Sequence, residues 1–115
     1  MNLAPEPFSL IAAGKKKFEL RLNDEKRQLL KVGDIIRFVN RRDPRMRVLC
    51  SVKRILHYPD FAALYRELPL RLCGYTNDNI ADADPHDMEA YYSAEETARY
   101  GVVGIEIELI REEKL

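Results

Sequence analysis

The sequence predicts an α+β domain built on a small, curled antiparallel β-sheet or barrel. Three observations carry that expectation. Four segments read as strands: 18–22 and 102–109 alternate apolar and polar residues with the period of two that a strand imposes, 35–40 follows a turn as an apolar-rich run, and 46–57 is rich in Val, Leu and Ile. The helical stretches between them are few, short and dispersed, which suits helices flanking a sheet rather than a bundle. The length, 115 residues, allows one domain (1–115) with a real core.

The elements follow in order. Pro5 and Pro7 stand where a helix start tolerates proline. Phe8, Ile11 and Ala12 recur at helical spacing and Gly14 is a stop, so a short helix is expected over 7–13. It runs straight into Lys15-Lys16-Lys17-Phe18-Glu19-Leu20-Arg21-Leu22. Residues 24–30 read as a polar loop or a single helical turn, and Val32-Gly33-Asp34 as a turn. Strands are expected over 35–40 and 46–57. Arg41-Arg42-Asp43-Pro44 joins them, with Pro44 barred from a central ladder. Pro59-Asp60 opens a helix whose Phe61, Leu64, Tyr65 and Leu68 share one face, and Pro69 stops it. Residues 70–86 show no period and read as a long loop, of a length that is often functional and equally compatible with a surface excursion. Ser93-Ala94-Glu95-Glu96 has the spacing of a capping box, opening a brief helix that ends at Gly101. A clean alternating strand over 102–109 follows.

Composition narrows the setting. The chain is 46% hydrophobic and 33% charged, and no apolar run approaches the ~18 residues of a membrane span. The N-terminus lacks a secretory pattern, so Cys50 and Cys73 are expected to be reduced, buried thiols in a cytoplasmic protein. Their spacing is not that of a metal site, and His57 and His86 are isolated, so no metal or cofactor is expected. The formal net charge is zero, yet the halves differ. Residues 15–54 hold 14 Lys/Arg and 5 Asp/Glu, and residues 55–115 hold 5 Lys/Arg and 13 Asp/Glu. A basic face of that size suits an anionic partner such as nucleic acid; equally, the halves can pack together and mix their charges.

The segment 14–22 carries the sharpest chemistry. Phe18, Leu20 and Leu22 fall on one face of a strand. Glu19 and Arg21 fall on the other, about 6–7 Å apart at the usual rise per residue. Lys16 has the opposite parity unless the strand begins after it. Lys16 and Arg21 are suited to hold a phosphate or a base carbonyl, and Glu19 to accept from a nucleobase N–H. The alternative is a structural Glu19–Arg21 ion pair.

Here the sequence resembles a known family. Gly14-x-Lys16-x-x-Glu19-x-Arg21 is similar to the signature of the ASCH (activating signal cointegrator homology) domain. Val32-Gly33-Asp34-x-Ile36-x-Phe38 resembles its next strand. Tyr91-Tyr92, Glu95-Glu96 and Tyr100-Gly101-Val102-Val103-Gly104-Ile105 resemble the closing block of its small bacterial and archaeal members. The resemblance runs from about Phe8 to Leu109. It implies a PUA-like β-barrel with flanking short helices, a cleft lined by the signature's charged residues, and an association with RNA or modified nucleosides. One branch of the family deacetylates N4-acetylcytidine with a Thr nucleophile three residues after the signature Lys. Here that position is Glu19, so the resemblance does not extend that activity to this chain.

The leading expectation is therefore an RNA- or nucleotide-binding module using Lys16, Lys17, Glu19 and Arg21. Arg41, Arg42, Arg45 and Arg47 would track phosphate, and Tyr75, with Tyr91 and Tyr92, would stack bases. For the arginines the alternative is a solvated hairpin tip, and for the tyrosines half-buried packing. A second possibility is an enzyme acting on RNA or a modified nucleoside, with Lys16 as acid and Glu19 as base. A third is a protein-interaction domain whose acidic half meets a basic partner. No membrane partner is expected, and nothing specifies an oligomeric state.

Overall fold

A computed structural model describes residues 1–115. Five strands form one mixed sheet in the order β1-β3-β4-β5-β2. The strands are β1 (Asn2–Leu3), β2 (Phe18–Leu22), β3 (Ile35–Asn40), β4 (Met46–Tyr58) and β5 (Val102–Lys114). Helices α1 (Pro5–Ala12), α2 (Glu25–Gln28), α3 (Phe61–Glu67) and α4 (Ala94–Tyr100) flank it.

Local signals explain most boundaries. Pro5 begins α1, and Gly14 turns the chain out of it at φ +73°. Asp24 and Asp60 cap α2 and α3, accepting from the backbone N–H groups of Arg27 and Ala63. Ser93 and Glu96 form the capping box of α4, with reciprocal bonds of 3.1 and 3.0 Å. Between β3 and β4, the buried Asn40 side chain accepts from the N–H groups of Arg42 and Asp43 and tightens the connection.

The sheet buries both of its faces near β2 and β5. On the inner face, Phe8 and Ile11 of α1 pack with Leu3, Phe38, Val48, Cys50, Val103 and Ile105. On the outer face, Phe61 and Leu64 of α3 meet Phe18, Leu20 and Val102, with Leu68 just beyond the helix. Gly104 lies opposite Leu20 in the ladder, and a Cβ there would fall 2.6 Å from Leu68 Cδ1. Gly104→Ala is expected to lower stability by about 1–3 kcal/mol through overpacking, read as a lower urea midpoint at unchanged slope.

Four sequence expectations need correction. The sheet is not closed into a barrel, and it is not wholly antiparallel. β1 runs parallel to β3, through Asn2↔Val39 and Leu3↔Asn40, and is only two residues long. β1 and β2 are therefore unpaired edges, and no backbone ladder joins them. A single long contact spans the seam, from Arg21 Nη2 to the Asn2 carbonyl at 3.5 Å. The expected loop at 70–86 holds 3₁₀ turns at Leu70–Leu72 and Ile80–Asp82, and a third follows at Pro85–Ala90. The last strand runs on to Lys114, because β4 continues the ladder opposite it, through Arg47↔Glu113 and Met46↔Lys114, and its Glu113 finds a basic partner on the next strand over.

Basic partners of this kind also account for the charge asymmetry. Arg54 meets Glu106 at 2.7 Å, Lys53 meets Glu108 at 3.2 Å, and Arg37 of β3 reaches Glu113 at 3.5 Å. The basic and acidic halves are thus partly mixed within one sheet, and the pairs lie at exposed positions where each contributes little.

A cleft at the open seam of the sheet

The two edge strands face each other across a cleft of about 420 Å³. Asn2 and Leu3 of β1 form one side, and Glu19, Leu20 and Arg21 of β2 the other. The chain after α3 closes it, through Cys73, Gly74, Tyr75 and Asn79, then Asp87 and Met88, with Tyr65 of α3 and Tyr91 and Tyr92 nearby.

Glu19 is the centre of the arrangement. Its ladder partner is Ile105, which belongs to the inner core, so Glu19 points inward and is only 3% exposed. Lys16 Nζ donates to Oε1 at 2.7 Å; Arg21 donates to Oε2 from Nε at 3.0 Å and from Nη2 at 2.8 Å. Burial alone would raise the Glu19 pKa, but Lys16 and then Arg21 outweigh it and hold the carboxyl below its ordinary value. Burial pulls on Arg21 too, and the Glu19 carboxylate overrides it and raises that group. The charged row of β2 is thus a buried ion triad rather than a solvated face.

Lys16 joins the triad because the strand starts after it. The chain leaving α1 folds back so that the backbone N–H groups of Lys15 and Lys16 both bond to the Leu10 carbonyl, and β2 begins only at Phe18. The alternation rule therefore does not govern Lys16. Its stem runs along Gly74, which takes φ +111°; a Cβ there would lie 3.6 Å from Lys16 Cδ.

The other sequence candidates divide. Arg41 lines the cleft, held by its backbone N–H to the Leu3 carbonyl at 2.8 Å. Arg42 is exposed outside it. Arg45 is paired with Asp43 at 3.0 Å, and Arg47 donates to the Pro44 carbonyl. Lys17 faces a second groove, with Lys53 and Glu108, and does not meet Glu19. Tyr75 is at the cleft, but its hydroxyl is engaged: Tyr65 Oη lies 2.7 Å away, and Tyr75 donates to Asp87 Oδ2 at 2.6 Å. Burial, then the Asp87 bond, pushes the Tyr75 phenol well above its ordinary range. Burial likewise raises the Cys73 thiol to about 11, against the pull of Lys16. Tyr92 stacks on Phe61 at 6.1 Å, a packing role, whereas Tyr91 is exposed.

Asp87, Asn2 and Met88 line the cleft without having been expected there. Asp87 had a legible signal. Asp84-Pro85-His86-Asp87 has an acid at the cap, proline at the first position and a second acid three residues on, and it forms a reciprocal capping box.

Chemically the site is rich in donors. Lys16 keeps two N–H groups beyond its bond to Glu19, while the Arg21 guanidinium is shared among Glu19, the Asn2 carbonyl and the neighbouring Tyr92 hydroxyl. Both Glu19 oxygens are occupied by cations, which makes that carboxylate a weak proton acceptor.

Fold and cleft define a small α+β domain whose curled, open sheet presents a buried ion triad at its seam. The family model described as the ASCH domain matches residues 1–111, and the chain belongs to the ASCH domain family. Its structure is similar to the crystal structure of hypothetical protein PH0355, with 36% identity, TM-score 0.78 and 96% of each chain covered. It is also similar to the solution structure of protein PF0455 from Pyrococcus furiosus, with 30% identity and TM-score 0.71, covering 96% of this chain and 99% of that one. A mutant ZmASCH protein from Zymomonas mobilis shares the fold at 17% identity and TM-score 0.68, with all of this chain and 72% of that one covered. No curated protein matches the chain. No helix is long and apolar enough to cross a membrane.

Proposed function

We infer that this protein is an RNA- or nucleotide-binding module whose ligand enters the seam cleft and meets Lys16 and Arg21. The observation that carries the reading is the triad itself. Two cations converge on one buried carboxylate at the wall of a cleft, leaving a local excess of one positive charge and unused N–H donors. Such donors suit phosphate or a base carbonyl. Membership of a family associated with RNA supports the same direction.

The cleft volume lies in the range of about 300–1,000 Å³ typical of small-ligand sites. That favours one nucleotide, free or at an exposed position of an RNA, over a duplex lying along the sheet. Arg41 is placed to meet its phosphate, with Arg42 beyond the rim; Arg45 and Arg47 are committed to their own turn. A binding role also fits Glu19 better than general-base chemistry, since its pairing keeps it ionised and occupied.

The test is binding of nucleoside monophosphates and short single-stranded RNA across a salt series, comparing wild type with Arg21→Ala. Affinity is expected to fall with salt, and to fall about ten-fold or more in the variant, the scale of a lost hydrogen bond to a charged group. Circular dichroism would establish that the variant is folded. No binding at low salt, or a folded variant that binds as wild type does, would refute the reading.

A further inference from the structure

The outer face of the sheet carries a second cluster of cations, outside the cleft. The ladder sets Arg37 of β3, Leu49 of β4 and Arg111 of β5 in one row across three strands. Val39, Arg47 and Glu113 form the next row. Phe38, Val48 and Cys50 alternate with these residues and belong to the inner core, so both rows face outward. Glu113 sits between two arginines: Oε1 is 3.5 Å from Arg37 Nε, and Oε2 is 3.7 Å from Arg111 Nη2. Arg47 lies opposite Glu113 in the ladder but gives its Nε to the Pro44 carbonyl. Three guanidinium groups thus surround one carboxylate, a local excess of two positive charges. Further along the same face the charges cancel, Arg54 with Glu106 and Lys53 with Glu108.

These arginines are held far more loosely than Arg21, which meets Glu19 at 2.8 Å. Arg37 and Arg111 keep 52% and 61% of their side chains exposed, and exposed pairs of that kind contribute little. Exchanging Glu113 for a phosphate oxygen therefore costs little and gains a charge-assisted, bidentate partner. The cluster is also continuous with the cleft. Strand β1 is one wall of the cleft and pairs with β3 through Asn2↔Val39. Arg37 is one strand away from that wall and Arg111 three, about 14 Å at the usual strand spacing. Arg41, which lines the cleft, stands just past the end of β3.

We propose that this outer face is a second binding site, which holds backbone phosphates flanking the nucleotide seated in the cleft. This rests on the nucleotide-binding reading above and names its ligand as a single-stranded RNA, since a free nucleotide has no phosphate to place there. Arginines spread over separate strands suit a flexible polyanion that tracks across the face. An acidic protein segment matches the charge as well; continuity with the cleft is what favours RNA.

The experiment uses the full chain. A labelled, mixed-sequence single-stranded RNA of about 12 nucleotides is titrated by fluorescence anisotropy, beside calorimetry with each of the four nucleoside monophosphates. Wild type is compared with the double variant Arg37→Gln, Arg111→Gln and with Glu113→Gln. Glutamine keeps part of each aliphatic stem beside Leu49 while removing the charge. The double variant is expected to bind the RNA about ten-fold or more weakly. Its slope of log affinity against log salt is expected to be smaller by about 1.4, the share of two single-strand phosphate contacts. Its mononucleotide affinity is expected to match wild type. Glu113→Gln is expected to bind the RNA more tightly, with mononucleotide affinity again unchanged. Wild-type RNA binding no tighter than mononucleotide binding overturns the outer site and leaves the cleft reading intact. So does a folded double variant that binds RNA as wild type does, or one that loses RNA and mononucleotide in parallel. Polyglutamate that binds the arginines more tightly than the RNA, and loses its affinity in the double variant, assigns the face to an acidic protein and overturns the proposal. No binding of any nucleotide or RNA by wild type overturns both readings. The wild-type comparison tests the idea by itself, so a variant that fails to fold does not shield it.

Discussion

Replacing Glu19 with Gln is expected to cost about 3–5 kcal/mol, a large part of the stability of a domain this size. The carboxylate is the counterion of two cations that are themselves mostly buried, with side-chain exposures of 8% for Lys16 and 16% for Arg21. Without it, two like charges meet in a poorly solvated cleft. Urea unfolding at pH 7 measures the loss. A variant within 1 kcal/mol of wild type would mean that the triad is solvated and contributes little.

The sign of the pH dependence follows from the same group. The folded-state pKa of Glu19 is below its ordinary value of 4.5, so protonation favours the unfolded chain. Its contribution is complete above the unfolded pKa and disappears as pH falls through the folded one. The stability gap between wild type and Glu19→Gln is therefore expected to close on acidification below about pH 4. A gap that stays constant down to pH 2 would exclude titration of Glu19 as its source.

A comparable loss, about 3–5 kcal/mol, is expected for Phe38→Ala. Phe38 is among the largest side chains with no exposure, and it packs on the inner face between strands and α1. Truncation opens a cavity that long, paired strands cannot collapse to fill. Leu49→Ala, one strand away, provides the contrast. Leu49 is nearly as buried, but it belongs to neither core cluster and its ladder partners are Arg37 and Arg111. Flexible arginine stems can resettle over a smaller side chain, so its loss is expected to be clearly smaller. Chemical denaturation of both variants decides it; equal losses would show that Leu49 is core in the same sense as Phe38.

The sequence made the long strands and capped helices legible because each is a local pattern. Alternation marked β2 and the start of β5, apolar richness marked β3 and β4, and a Pro-Asp pair and a capping box marked the starts of α3 and α4. What alternation could not reveal is which face is covered. Glu19 and Arg21 alternate with Phe18, Leu20 and Leu22 just as a solvated charged row would, and only the curl of the sheet turns them inward. Strand β1 is too short to show a period, and its parallel pairing with β3 depends on the chain reversing through α1. Whether a curled sheet closes is likewise a property of its two edges, β1 and β2, which are near in sequence but are placed by partners, β3 and β5, further along the chain. The end of β5, Arg111-Glu112-Glu113-Lys114, lacks apolar alternation and is a strand because β4 supplies Arg47 and a ladder opposite it. Within the cleft, Lys16, Glu19 and Arg21 were legible from one motif. For Asp87 the capping pattern was legible but its place in the cleft was not, because that depends on the tertiary contact with Tyr75.

The sheet order carries a consequence for how the chain is made. Strand β2 pairs only with β5, through contacts such as Glu19↔Ile105 that span most of the sequence. On a ribosome, residues 18–22 emerge early and wait without a ladder until residues 102–106 are synthesised. The hairpin of β3 and β4 has its partners at hand long before. The triad and the cleft it lines are therefore products of the last long-range closure, the kind of step that topology makes slow. A nascent chain holding every residue of the signature motif still has no site until its final strand is in place.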